Sequence, residues 1–446
     1  MRKYDALVIG ADVAGLSAAA ILAGAGKRVL VLECEAAPPE PIGPVYALDP
    51  VLLSQLRLSA RGLRFVSRDL PLSFPEALPG ISLGRDGHAA SRALSVLGDA
   101  DAKSWVPFRQ EVHALARQLR RWWWSALEEG AADWVLERQA VKARFARLCL
   151  TGADAFLAAH FQSDALIAAL LFDASAGGFH VSEPGSALAL VWRAAQEMAG
   201  LEGAAAMPAT GTLLWSLIKA AAAADIRCCA KVTGIVTRTG AVTGIRLAAG
   251  EEIQAPLILS SLSGGATMAL AGAPVTQPQI GEARLLISLR EKIAFPPARL
   301  ILAEQPGIYA DAHEAARAGR LAAELPMEMT AAAPDKIAVT LRPVPAFLSQ
   351  EDRIQLAARA VQLLSRQVPG AAALVSGVRF AVSGTGARAT LAHLLAPSVL
   401  RVKTNIAGLY LCGADAEPLA CLSGRAARIA AGLALRDPAL GSERTE

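Results

Sequence analysis

The segment from Tyr4 to Glu33 limits what this chain can fold into more than any other feature. Residues 4–9 (YDALVI) read as a short apolar strand, and Gly10 to Gly15 turn the chain. Leu16 to Gly26 read as an alanine-rich helix, and Arg28 to Glu33 (RVLVLE) as a second buried strand. Two apolar strands joined through a helix within about 30 residues make a β-α-β unit, the length a parallel crossover needs. The chain therefore belongs to the α/β class, with a parallel sheet at its N-terminus.

The turn reads Gly10-Ala11-Asp12-Val13-Ala14-Gly15. Against the pattern GxGxxG, the first and third glycines are present and Asp12 replaces the second. Gly10 permits the tight turn and Gly15 lets helix and strand pack closely. The helix N-terminus then offers free N–H groups, from Ala14 onward, to a pyrophosphate. Glu33 ends the second strand, where a carboxylate binds ribose hydroxyls and disfavours a 2′-phosphate. Asp12 puts bulk and like charge where backbone would approach the pyrophosphate, unless its side chain turns away or caps the helix. A β-α-β unit that binds nothing is the competing reading.

The remaining composition excludes several classes. The chain has 446 residues, enough for two or three domains. Hydrophobic residues are 53% and charged residues 19%, which excludes a disordered solvating chain. The 44 basic and 40 acidic residues are spread along the sequence, which argues against a nucleic-acid partner. Mean hydropathy is +0.37, yet no run is apolar for long enough to span a bilayer. The charge-free stretch from Ile253 to Gly281 is interrupted by Pro256, Pro274 and Pro278. The N-terminus shows no cleavable leader, so a cytoplasmic protein is expected. Its six cysteines have no CxxC spacing and the six histidines no HxxxH, so no metal site is expected.

Further along, residues 104–200 look largely helical. Thr212 to Ala224 read as a helix, followed by strands at 225–230, 231–239, 242–247 and 252–260. Strand-like segments between 283 and 345 flank a helical stretch near 311–323. Gln350 to Gln367 form an amphipathic helix, Leu409 to Cys412 a buried strand, and Ser423 to Leu435 a helix. Ser423 lacks the strand–GxSxG–helix context of a nucleophile. In the helix from Phe108, Val112, Leu115, Leu119 and Trp122 share one face, and Trp124 falls opposite, near Arg117 and Arg120. Trp122–Trp124 read either as core packing with a cation–π contact or as a docking surface for lipid headgroups or a protein partner.

Four blocks, taken in order, resemble one family. LVIGADVAGLSAAAILAGAGKRVLVLE and RDGHAASRALSVLGDADAKSWVPF resemble the early segments of phytoene dehydrogenase-related flavoproteins, in the phytoene desaturase and amine oxidase superfamily. GSALALVWRAAQEMAG with IRCCAKVTGIVTRTGAVTGIRLAAGEEIQAPLILSSLSG is similar to its central segment. NIAGLYLCGADAEPLACLSGRAARIAAG looks like its C-terminal flavin-binding stretch.

The resemblance implies a Rossmann-like, three-layer FAD/NAD(P)-binding domain with an interleaved α+β substrate domain. The first would comprise residues 1–75, 205–275 and 396–446, the second 76–204 and 276–395. FAD is the implied cofactor. Gly10, Ala11, Gly15 and Glu33 would hold its pyrophosphate and ribose, and Val232 its adenine. Gly413 and Asp415 would lie at the ribityl and pyrophosphate, and the helix at Ser423 would point at the flavin. The chain departs from the family at Asp12, at the absent Gly-Gly pair after Glu33 (Gly43 stands alone), and in a shortened loop between Asp415 and Ser423.

Two expectations follow. The first is an FAD-dependent oxidoreductase moving hydride from an apolar, isoprenoid-like substrate to flavin. It has no second dinucleotide fingerprint, so its electrons would pass to oxygen, a quinone or a partner. The second is a degenerate relative that binds without redox turnover. An NAD-linked dehydrogenase would rest on Glu33 alone. No catalytic acid or base is assigned.

Overall fold

The computed structural model describes residues 4–68, 70–74, 78–124, 139–199, 207–274, 279–384, 401–417 and 423–440. The N-terminal strand β1 (Ala6–Ile9) leads through α1 (Val13–Gly24) into β2 (Val29–Leu32), which pairs with β1 in parallel. Strands β7 (Asp225–Arg227), β11 (Ile258–Ser260) and β17 (Leu409–Leu411) complete a parallel five-stranded sheet ordered β17-β11-β1-β2-β7. This is the expected Rossmann-like sheet.

Alternation along its strands sets two cores. Ala6, Val8, Val29, Val31, Leu257 and Leu259 face a helical layer of α1, α9 (Thr210–Ala220) and α13 (Arg425–Ala434). Leu7, Ile9, Leu30, Leu32 and Ile258 face the opposite way. They pack on a three-stranded antiparallel meander of β8 (Val232–Arg238), β9 (Ala241–Leu247) and β10 (Glu252–Gln254). The period of two in a strand puts both cores in one short sequence.

The second sheet has seven strands, ordered β16-β12-β15-β14-β13-β4-β5. They are β4 (Leu72–Phe74), β5 (Leu78–Leu83), β12 (Ile280–Leu289), β13 (Arg299–Leu302), β14 (Met327–Ala333), β15 (Lys336–Pro345) and β16 (Val375–Gly384). The helix α12 (Gln350–Gln367) covers one face, where Leu356, Ala360 and Leu364 bury against Leu285, Ile287 and Val339. A capping box at Ser349 and Asp352 starts that helix. Strand β4 falls in the first segment assigned to the dinucleotide domain, yet it pairs with β13 in this second sheet. The chain therefore leaves the first domain before Leu72.

The other face of the seven-stranded sheet meets a helical cap. It contains α3 (Gly87–Leu94), α4 (Asp99–Trp124), α5 (Gln139–Leu150), α6 (Ala153–Ala158), α7 (Asp164–Ala174), α8 (Leu188–Ala199) and α11 (Gly307–Arg317). The side chains of Trp122–Trp124, at the end of α4, lie outside the described residues. The remaining short elements are α2 (Pro50–Gln55), α10 (Gly264–Leu270) and the paired strands β3 (Phe65–Ser67) and β6 (Met207–Pro208). Among the described residues, no helix is long and apolar enough to cross a membrane.

Candidate functional site

The tight turn between β1 and α1 depends on its two glycines. Gly10 has φ +93°, and a Cβ there would stand 2.2 Å from Ser261 Oγ. A Cβ on Gly15 would stand 2.0 Å from the Gly10 carbonyl oxygen. Glu33 is buried behind this turn. Its Oε2 accepts the Ala11 N–H at 2.7 Å, and its Oε1 the Glu35 N–H at 3.0 Å. Asp12 caps α1: its Oδ1 accepts the Gly15 N–H at 2.8 Å. The carboxylate thus takes a donor that a helix N-terminus otherwise presents to an anion.

A cleft of about 340 Å³ opens in front of this turn. It brings together Asp12, Ala14, Gly413 and Ser423 from the sequence reading, and it runs from the N-terminus of α1 to that of α13. Gly10, Ala11 and Gly15 stand behind Asp12 in the turn, outside the lining. Glu33, Val232 and Asp415 also lie off its wall. Val232 starts β8 opposite Leu247, and Asp415 accepts the Gly264 N–H. The segment Glu40–Val45, Arg284, Cys412 and Glu417 also line the wall and were not singled out in the sequence, Gly43 excepted.

Electrostatically, three acids at the cleft are held toward their neutral forms. Burial pushes the carboxyls of Asp12, Asp415 and Glu417 above the usual carboxylate range. Hydrogen bonds from Gly15 and Ser261 oppose this at Asp12, and Arg425 opposes it at Glu417. Among the described residues neither carboxylate oxygen of Glu417 has a hydrogen bond, and Arg425 Nε stands 3.6 Å away.

These features bear on the dinucleotide that the family resemblance implies. Two helix N-termini converge on one cleft. A Cβ on Gly413 would meet the Ser261 carbonyl oxygen at 2.3 Å, so backbone replaces side chains along that wall. The three nearby acids lean toward charge neutrality. The residues present fit the group, and the Asp12 carboxylate at the α1 N-terminus competes with it.

From Arg284, on the cleft wall, a chain of buried charges crosses the cap-facing side of the seven-stranded sheet. Glu282 accepts from Arg284 Nε at 2.5 Å and from Arg342 Nη1 at 2.7 Å. Arg342 also donates to the Phe172 carbonyl at 2.9 Å and lies 4.0 Å from Asp173. Arg299 forks onto Asp173 at 2.5 and 3.0 Å and donates to Glu328 at 2.6 Å. Tyr46 lies under two guanidinium groups, Arg193 at 4.8 Å and Arg299 at 5.4 Å. Burial alone would raise Glu282, but Arg284 and Arg342 beside it bring its carboxyl down to about 2. Burial also works against ionised Asp173, and Arg299, Arg193 and Arg342 overcome it. None of these residues belongs to a sequence motif.

Neither a protein-family model nor a curated protein sequence matches the chain. Solved structures do match over nearly its whole length. An oxidoreductase from Methanosarcina mazei superposes with a TM-score of 0.59 at 14% identity, covering 97% of this chain and 99% of its own. Putrescine oxidase bound to putrescine gives 0.59 at 14%, covering 98% and 99%. Cyclohexylamine oxidase from Brevibacterium oxydans gives 0.53 at 16%, covering 99% and 100%. The chain has the amine oxidase fold. This is the fold implied by the resemblance to the phytoene desaturase and amine oxidase superfamily. In the amine oxidase fold of this chain, the cleft belongs to the parallel sheet and the charged face to the second sheet.

Proposed function

We propose that this chain is an FAD-dependent oxidoreductase that holds its flavin dinucleotide in the cleft between α1 and α13. The carrying observation is the convergence of two helix N-termini and the glycine-lined wall at Gly413 on one cleft. The likeness to putrescine and cyclohexylamine oxidases supports the reading. Bound FAD supplies the acceptor for a hydride leaving a substrate C–H bond.

The chain's own residues would bind, orient and exclude water. The N–H groups opening α1 and α13 favour anionic groups through unpaired donors and the helix dipole. Glu33, whose two oxygens accept the Ala11 and Glu35 N–H groups, fixes the turn from behind the cleft. Arg284 adds a fixed cation at the wall nearest the second sheet. The substrate domain, built on that sheet and its helical cap, holds an organic substrate with an apolar body.

A second reading is favoured by Asp12, whose carboxylate already occupies the Gly15 N–H. In that reading the chain keeps the fold and binds a ligand without redox turnover. One experiment separates the two: the visible absorption spectrum of untagged protein, before and after adding FAD. A stoichiometric flavin band supports the oxidoreductase. A folded protein that takes up no FAD leaves the binding protein.

A further inference from the structure

The geometry points to a second site, for an amphipathic organic anion, in a cavity of about 350 Å³ between α4, α8 and strands β4 and β5. As a substrate class this rests on the oxidoreductase reading; as a binding site it does not. The volume is within the range of small-molecule pockets.

The walls divide by chemistry. Leu70, Leu83, Phe108, Val112 and Leu190 give an apolar body its surface. Five arginines line the same cavity, against the two carboxylates of Asp173 and Glu197. The inner cations are matched. Arg109 reaches Glu197 at 3.2 Å, Arg299 forks onto Asp173, and Glu328 behind the wall also contacts Arg299. Arg85 and Arg117 are the exposed ones, and neither has a carboxylate partner among the described residues. Guanidinium forks complement carboxylate and phosphate oxygens.

An independent observation points to a ligand. Trp105 lines this cavity at 2% exposure, and its indole Nε1 has no hydrogen-bond partner among the described residues. Buried N–H donors are almost always paired. The Nε2 of His113, on the same wall, has none either; Glu197 lies 3.8 Å from it. An anion with an apolar tail answers the whole set. Its head meets Arg85 and Arg117, its tail the leucines and Phe108, and a second polar atom the indole donor.

The test is calorimetric titration of the full-length protein with decanoate, decanol and decylamine, with and without added FAD. Decanoate is expected to bind saturably at one site, about tenfold or more tighter than decanol, with no binding of decylamine. The double variant R85A/R117A is expected to lose about tenfold in decanoate affinity and to leave decanol unchanged. Both positions are exposed, so the fold is preserved. Equal affinity for decanoate and decanol overturns the proposal, as does decanoate binding that ignores R85A/R117A, or no saturable binding. Decanoate binding by a protein that shows no flavin band leaves this site standing and removes the cofactor reading alone.

Discussion

Asp12 is the residue on which the cleft turns. An N-cap aspartate is ordinary chemistry for a helix start, and the sequence already allowed this role. What the sequence could not show is that burial lifts the carboxyl toward its neutral form while Ser261, far along the chain, donates to it. A group raised in the folded state adds stability below its ordinary value of 3.8 and loses it as pH rises through the folded value. Once ionised, therefore, Asp12 weighs against both folding and an incoming pyrophosphate. Asp12→Gly is expected to tighten FAD binding by about tenfold or more, read by quenching of flavin fluorescence. In the wild type, FAD affinity should fall as pH rises and Asp12, Asp415 and Glu417 ionise. An affinity that is flat with pH and insensitive to Asp12→Gly would place the pyrophosphate elsewhere. Gly15 is the structural counterpart. Gly15→Ala drives a methyl into the Gly10 carbonyl and should cost about 1–3 kcal/mol, read by denaturant unfolding.

At the scale of elements, the charged sheet face is the feature with the most consequence. Glu282 and Arg284 sit in IGEARLLISL, Arg299 in RLIL, Glu328 in MEMTAAA and Arg342 in KIAVTLRPVP. Each is a charge in a mostly apolar strand, a signal visible in the sequence. The partners were not visible, because Arg299 meets Asp173 across 126 residues and Arg342 meets Glu282 across 60. The helix over 350–367 was legible because its pattern is local. The ion chain was not, because strand order β16-β12-β15-β14-β13 is a tertiary fact. Arg299→Met leaves Asp173 and Glu328 buried without their fork and should cost about 3–5 kcal/mol in chemical unfolding. For pH the sign runs the other way from Asp12. Glu282 is depressed from 4.5 to about 2, so its stabilisation is full above 4.5 and is lost as pH falls toward 2. That loss is about 3 kcal/mol. Glu282→Gln should remove it, so the variant's stability between pH 5 and pH 2.5 should fall less steeply than the wild type's.

The molecule as a whole is woven rather than strung. The five-stranded sheet takes β1 and β2 from the start of the chain, β7 and β11 from its middle and β17 from its end. The β-α-β opening made the parallel sheet legible. The parting at Leu72 was missed, because a three-residue strand carries too little pattern to reveal which sheet it joins. The weave has a consequence for the cleft, since its α13 end is built by residues that arrive last. Strand β17 hydrogen-bonds to β11, and Val402, Leu409, Tyr410 and Ile429 are buried. Arg428 reaches back to Asp49, and a Cβ on Gly424 would strike Leu52. At about 1.5–3 kcal/mol for each large apolar side chain buried, losing this segment removes a sizeable part of a net stability of about 5–15 kcal/mol. It also bares the helical layer and one sheet edge. A chain ending at residue 400 is therefore expected to lack a cooperative thermal transition by circular dichroism, while the full chain melts in one step. A truncated chain that kept the full chain's transition would make β17 and α13 an accessory. The cleft would then depend on α1 alone, too little to hold a dinucleotide at both ends.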